Sequence, residues 1–142
     1  AATDLLAETK VAPELSNEAH YYRAKAYLDA GKVEGAMDDL KILAKDTRNI
    51  YGAEAKYKVA QIYFDAGQTE QAEKEVLDYI EVSTPHTYWL ARSFVLLSDV
   101  YMKLGRNLDA KQYLLSLKQN YQADDDIAGM IESRLNKLNA EN

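Results

Sequence analysis

Few groups in this sequence could do acid–base, metal or nucleophilic chemistry, and they are scattered. His20 and His86 are the only histidines, and there is no cysteine. Disulfides, zinc–thiolate sites and thiol nucleophiles are thereby excluded. No His/Asp/Glu cluster repeats a metal-ligand spacing, so both histidines are expected as exposed helix and loop residues. Asp124, Asp125 and Asp126 lack the spaced ligands, central Gly and closing Glu of a calcium loop. They read instead as carboxylates at a helix start, where the dipole favours negative charge. No Ser or Thr sits in a nucleophile elbow, and no Gly-rich phosphate loop exists. The expectation is a non-enzyme with no cofactor and no metal.

The residue in excess is tyrosine, with eleven copies. Three of them keep a register. Tyr27, Gly31 and Ala36 share their spacing with Tyr63, Gly67 and Ala72, and again with Tyr101, Gly105 and Ala110. The period is 36 and then 38 residues. Self-similarity at that period marks a helical repeat array. Each triplet reads as a helix end, a tight turn at Gly and the start of a second helix.

Composition agrees. The chain has 142 residues, 47% hydrophobic, with six Gly and two Pro, which excludes disordered and collagen-like classes. The net charge is −6 and no basic face is clustered, so no nucleic acid is expected as partner. No apolar run is long enough for a membrane span, which needs about 18 residues or more.

The periodicity predicts helices over 17–30, 33–46, 50–66, 69–81, 87–104, 107–121 and 124–139. Ser16 or Asn17, Thr69 and Asn107 are the expected N-caps. Residues 1–15 read as one further helix ending before Pro13. It is expected to be the second half of an earlier repeat, with the native chain extending upstream. Leu5, Leu6 and Val11 would then be uncovered, and self-association through that end is expected. In the last helix Ile127, Ile131, Leu135 and Leu138 form an apolar stripe, with Glu132, Ser133, Asn136 and Lys137 opposite. Such one-sidedness closes an array.

These pairs resemble tetratricopeptide repeats. The third unit carries the pattern best: Phe94, Leu97-Ser98, Tyr101, Ala110 and Leu114. The second reads Lys56, Val59-Ala60, Tyr63, Ala72 and Val76. The first reads His20, Arg23-Ala24, Tyr27, Ala36 and Leu40. The resemblance implies an all-α, right-handed α-α superhelix of antiparallel helix pairs with a C-terminal capping helix. Its units would be 17–48, 50–84 and 87–121, flanked by 1–15 and 124–139, as one array over 1–142. The usual Pro after the second helix is missing from register, and the periods exceed the common value of about 34. Long, tyrosine-rich units of this kind are similar to those of bacterial cell-envelope scaffolds, which favours the periplasm or envelope over the cytoplasm.

In tetratricopeptide proteins the first helix of each pair lines a concave groove. The matching stripe here is Glu18, Tyr21, Tyr22, Lys25 and Asp29, then Glu54, Tyr57, Lys58, Gln61 and Asp65, then Arg92, Val95, Leu96, Asp99 and Lys103. Its asparagines are missing and one base has become Leu96, which argues against the family's carboxylate clamp. The resemblance implies a protein or peptide partner held by Tyr21, Tyr22, Lys25, Tyr57, Lys58, Gln61, Arg92, Leu96 and Asp99. Two other readings stay open: an ordinary solvated face, and a structural spacer within a larger protein. Trp89 is expected to pack rather than to serve as a ligand platform.

Overall fold

Helical hairpins closed by a glycine set the architecture. Gly31, Gly67 and Gly105 have φ of 76°, 80° and 78°. Only a residue without Cβ adopts that left-handed conformation freely. Each closes a Schellman turn. The N–H of Lys32, Gln68 and Arg106 donates to the carbonyl of Tyr27, Tyr63 and Tyr101 at 2.8, 2.9 and 2.7 Å. The tyrosine–glycine spacing is therefore a hydrogen-bonded unit as well as a packing motif.

A computed structural model describes residues 13–82 and 84–140. Among the described residues there are seven helices and no strand. They are α1 (Pro13–Asp29), α2 (Val33–Leu43), α3 (Ile50–Asp65), α4 (Thr69–Glu81), α5 (Thr87–Lys103), α6 (Asn107–Asn120) and α7 (Ile127–Ala140). The fold is all-α. The closest packing joins α1 to α2, α3 to α4 and α5 to α6. Each second helix then packs on the first helix of the next pair, and successive first helices touch. The expectations for residues 1–12, including self-association through Leu5, Leu6 and Val11, lie outside the described residues.

Small residues stand where helices cross. Ala24, Ala60, Ser98, Ala36, Ala72 and Ala110 are all buried. The Ser98 hydroxyl is satisfied by donating to the Val95 carbonyl at 2.6 Å. Gly52 allows a closer approach: a Cβ there would lie 1.9 Å from the Asp46 carbonyl oxygen and 2.6 Å from that of Leu43. It lets α3 seat directly on the loop that leaves α2.

Three expected caps are corrected. Ser16 and Asn17 lie inside α1, which runs continuously from Pro13. Proline is accepted in a first turn, where its missing N–H has no intrahelical partner to lose. Thr69 and Asn107 are the first residues of their helices, not the caps. Gln68 and Arg106 cap them with no side-chain hydrogen bond. The Schellman turn uses the N–H of the residue after Gly and leaves that same residue as the cap. Side chains do cap two other helices: the Asn49 Oδ1 accepts from the Tyr51 N–H at 2.9 Å, and the Asp125 Oδ1 accepts from the Ile127 N–H at 2.9 Å, just before α7.

The last helix packs on α6 and α5. Ile127, Ile131, Leu135 and Leu138 are buried, while Glu132, Ser133, Asn136 and Lys137 are exposed. It touches α5 as α3 touches α1, in the position of a further first helix.

Candidate functional site

The face shared by α1, α3, α5 and α7 carries two aromatic–cation clusters. Both form where consecutive first helices meet, because residues of the stripe face the next unit. In the first, the Tyr21 ring lies 4.7 Å from Tyr51 and 5.3 Å from Tyr22. Its hydroxyl donates to both Glu54 oxygens at 3.1 Å. The ammonium of Lys25 stands 5.4 Å from the ring centre, and that of Lys58 stands 6.0 Å away. Lys58 also pairs with Glu54 at 2.7 Å. Burial, then the Glu54 charge and hydrogen bond, push the Tyr21 phenol up to about 12.

The second cluster joins α3 to α5. The Tyr57 and Trp89 ring centres lie 5.7 Å apart with the planes tilted by 35°, and Tyr88 meets Trp89 edge-on at 5.0 Å. The Arg92 guanidinium lies 5.1 Å from the Tyr57 ring centre and 5.9 Å from that of Trp89. It donates to the Tyr88 hydroxyl at 3.2 Å. Tyr57 donates to Gln61, and Gln61 donates to Asp65, each at 2.8 Å. The end is tied by α7 and the turn before it: Tyr88 donates to Asp126 at 2.8 Å, and Arg134 grips Asp99 with two bonds of 2.7 and 2.9 Å.

The expected site residues thus fall into two groups. Tyr21, Tyr22, Lys25 and Lys58 belong to the first cluster, with Tyr22 59% exposed. Tyr57, Gln61, Arg92, Leu96 and Asp99 line a hollow of about 90 Å³ that Arg134 closes. Leu96 and Tyr57 are more enclosed than expected: they are 3% and 7% exposed and both belong to the core. The α1 register mate of Leu96, Tyr22, sits on a helix that packs only on α2 and α3 among the described residues, whereas α5 is packed by α3, α4, α6 and α7. Leu96 supplies wall, not a handle. Trp89 packs, as expected, but between two tyrosines and an arginine.

Two models, each described as "Tetratricopeptide repeat", match residues 18–46 and 91–120. The chain carries tetratricopeptide repeats. The matched segments fall on α1–α2 and α5–α6. The hairpin between them has the same turn, the same buried alanines and the same packing. A search of curated proteins finds no match to the chain. Tetratricopeptide repeats are generally protein–protein interaction modules and typically non-catalytic. Among the described residues no group of His, Asp or Glu could hold a metal ion, and no helix is long and apolar enough to cross a membrane.

The tetratricopeptide register also exposes what the sequence reading missed. His20 is 7% exposed rather than open to solvent, and its Nδ1–H donates to Asp39 at 2.7 Å. Arg23 donates to the same carboxylate at 2.6 and 2.9 Å. Lys56, the next register mate of His20, is buried and pairs with Glu75 at 2.7 Å and Asp78 at 2.6 Å. Burial lowers the Lys56 ammonium, but the hydrogen bonds it donates to Asp78 and Glu75 outweigh it and raise it above its ordinary value. The signal was available. Asp39, Glu75 and Tyr113 share a register, opposite His20, Lys56 and Phe94.

Proposed function

We propose that the chain is a non-catalytic scaffold or adaptor that binds a peptide or partner protein across the concave face of its first helices. The binding groups are Tyr21, Tyr22, Lys25, Lys58, Gln61, Arg92 and Asp99, with Tyr57 and Leu96 in the wall behind them. Its units are 17–48, 50–84 and 87–121, closed by 124–139. The observation that carries this reading is the pair of aromatic–cation clusters at successive first-helix junctions. Rigid rings with polar tips offer large contact area at low ordering cost, and arginine and tyrosine dominate binding hot spots.

The rival reading is a spacer without a ligand. It is favoured by the internal use of polar groups, since Glu54 holds both Tyr21 and Lys58. The two separate in one experiment. The immobilised chain, its Tyr22→Ala/Lys25→Ala variant and its Lys74→Ala variant are compared as baits for the native partner. Lys74 is exposed on α4, away from the stripe. The concave reading expects capture by wild type and Lys74→Ala, and loss by the double variant. Equal capture by all three, or specific capture by none, favours the spacer.

A further inference from the structure

Beyond the two clusters, α3, α5 and α7 enclose a larger hollow of about 470 Å³, lined by Phe64, Asp99, Met102, Lys103 and Lys137. That volume is in the range of about 300–1,000 Å³ typical of ligand clefts. Its floor is apolar, because Phe64 and Met102 are half-buried and pack on the core. Its rim is cationic. Lys103 closes α5 and Lys137 sits in the last turn of α7, both exposed. Neither has an ion-pair partner among the described residues. The lining acid, Asp99, is already neutralised by Arg134 at 2.7 Å. The next acid along, Asp65, accepts from Gln61 and does not line the hollow.

On a chain of net charge −6, this is a local excess of positive charge beside an apolar floor. Its complement is an apolar side chain flanked by carboxylates. A neutral or basic segment would cover the lysines without pairing them. We propose that this hollow receives an acidic, apolar peptide segment of the partner protein. A leucine- or phenylalanine-type side chain rests on Phe64 and Met102, and side-chain carboxylates reach Lys103 and Lys137. The proposal rests on the concave-face reading, since Asp99 borders both hollows, and it narrows that reading to one chemistry at one end.

The test uses a fluorescent peptide, blocked at both ends, with a leucine between two aspartates. It is titrated into the full chain and read by anisotropy. Two control peptides carry asparagines for the aspartates, or serine for the leucine. The aspartate–leucine peptide is expected to bind, with affinity falling as salt rises. Each control is expected to bind about tenfold more weakly. Lys103→Gln with Lys137→Gln should lower affinity about tenfold, while Lys74→Ala, on the exposed side of α4, should stay within about twofold. Both lysines are exposed, so an unchanged urea midpoint will show that the variant is folded. Binding that survives in the lysine variant but disappears in the Tyr22/Lys25 variant overturns this site and leaves the concave face standing. Equal binding of the asparagine peptide, or no binding of any peptide up to millimolar concentration, also overturns it. Partner capture then decides the broader reading separately.

Discussion

His20 and Asp39 are joined 2.7 Å apart in the first unit. At the same two register positions the second unit has Lys56 and Glu75, 2.7 Å apart, and the third has Phe94 and Tyr113, with ring centres 6.1 Å apart. One backbone slot is thus filled by a histidine–carboxylate pair, a lysine–carboxylate pair and an aromatic pair. The fold demands contact at this slot but not a particular chemistry. Asp39 is only 1% exposed and also receives Arg23. Asp39→Ala should cost about 1–3 kcal/mol, because it removes the acceptor from the buried His20 N–H and a carboxylate from Arg23. The triple change His20→Phe, Arg23→Leu and Asp39→Tyr installs the third unit's residues. It should leave stability near wild type, since apolar replacement of a buried ion pair is often neutral or better. Urea midpoints of the two variants check both statements, and comparable losses in both would refute the interchangeable slot.

Gly52 should tolerate no side chain. Its Cβ would meet backbone oxygen at 1.9 Å, and backbone cannot swing aside as a side-chain tip can. Gly52→Ala is expected to cost at least about 2 kcal/mol, although alanine is ordinarily the better helix former by about 1 kcal/mol. Gly129, with nothing within 4 Å of its Cβ position, is the control. Gly129→Ala should be neutral or stabilising by thermal melting.

Alkaline pH should loosen the first cluster. The Tyr21 phenol is raised from 10.0 to about 12 by burial and then by Glu54. The folded state therefore holds this proton more tightly than the unfolded state. The resulting stabilisation is fully present below pH 10 and is lost as pH rises toward about 12. Tyr21→Phe should flatten the fall of the urea midpoint across that window. An identical slope in the variant would show that Tyr21 is not the responsible group.

The end of the array should depend on Arg134. It bonds both oxygens of Asp99 across the α5–α7 junction, and both side chains are about a quarter exposed. Solvent screening limits the global effect of Arg134→Gln to about 1 kcal/mol. The local effect should be larger. Hydrogen exchange in residues 127–140 should accelerate while that of α1 to α4 stays unchanged, because repeat arrays couple through neighbours. Uniform acceleration along the chain would contradict that nearest-neighbour picture.

The hairpins were legible because their determinants are local. A left-handed glycine, a tyrosine four residues before it and an alanine five after it act within one turn and its two flanks. Their spacing repeats whatever surrounds them. Helix caps were less legible at Thr69 and Asn107, since good cap residues lost to the backbone bonding of the glycine turn. Burial at the site was decided only by tertiary structure. Tyr22 and Leu96 occupy one register, yet one lies in the open first cluster and the other in the core, because among the described residues α5 has neighbours on both sides and α1 on one. The His20–Asp39 bond spans 19 residues and the Arg134–Asp99 bond spans 35. Partners that far apart are chosen by which helices the array stacks together, and no periodicity within a single helix carries that information.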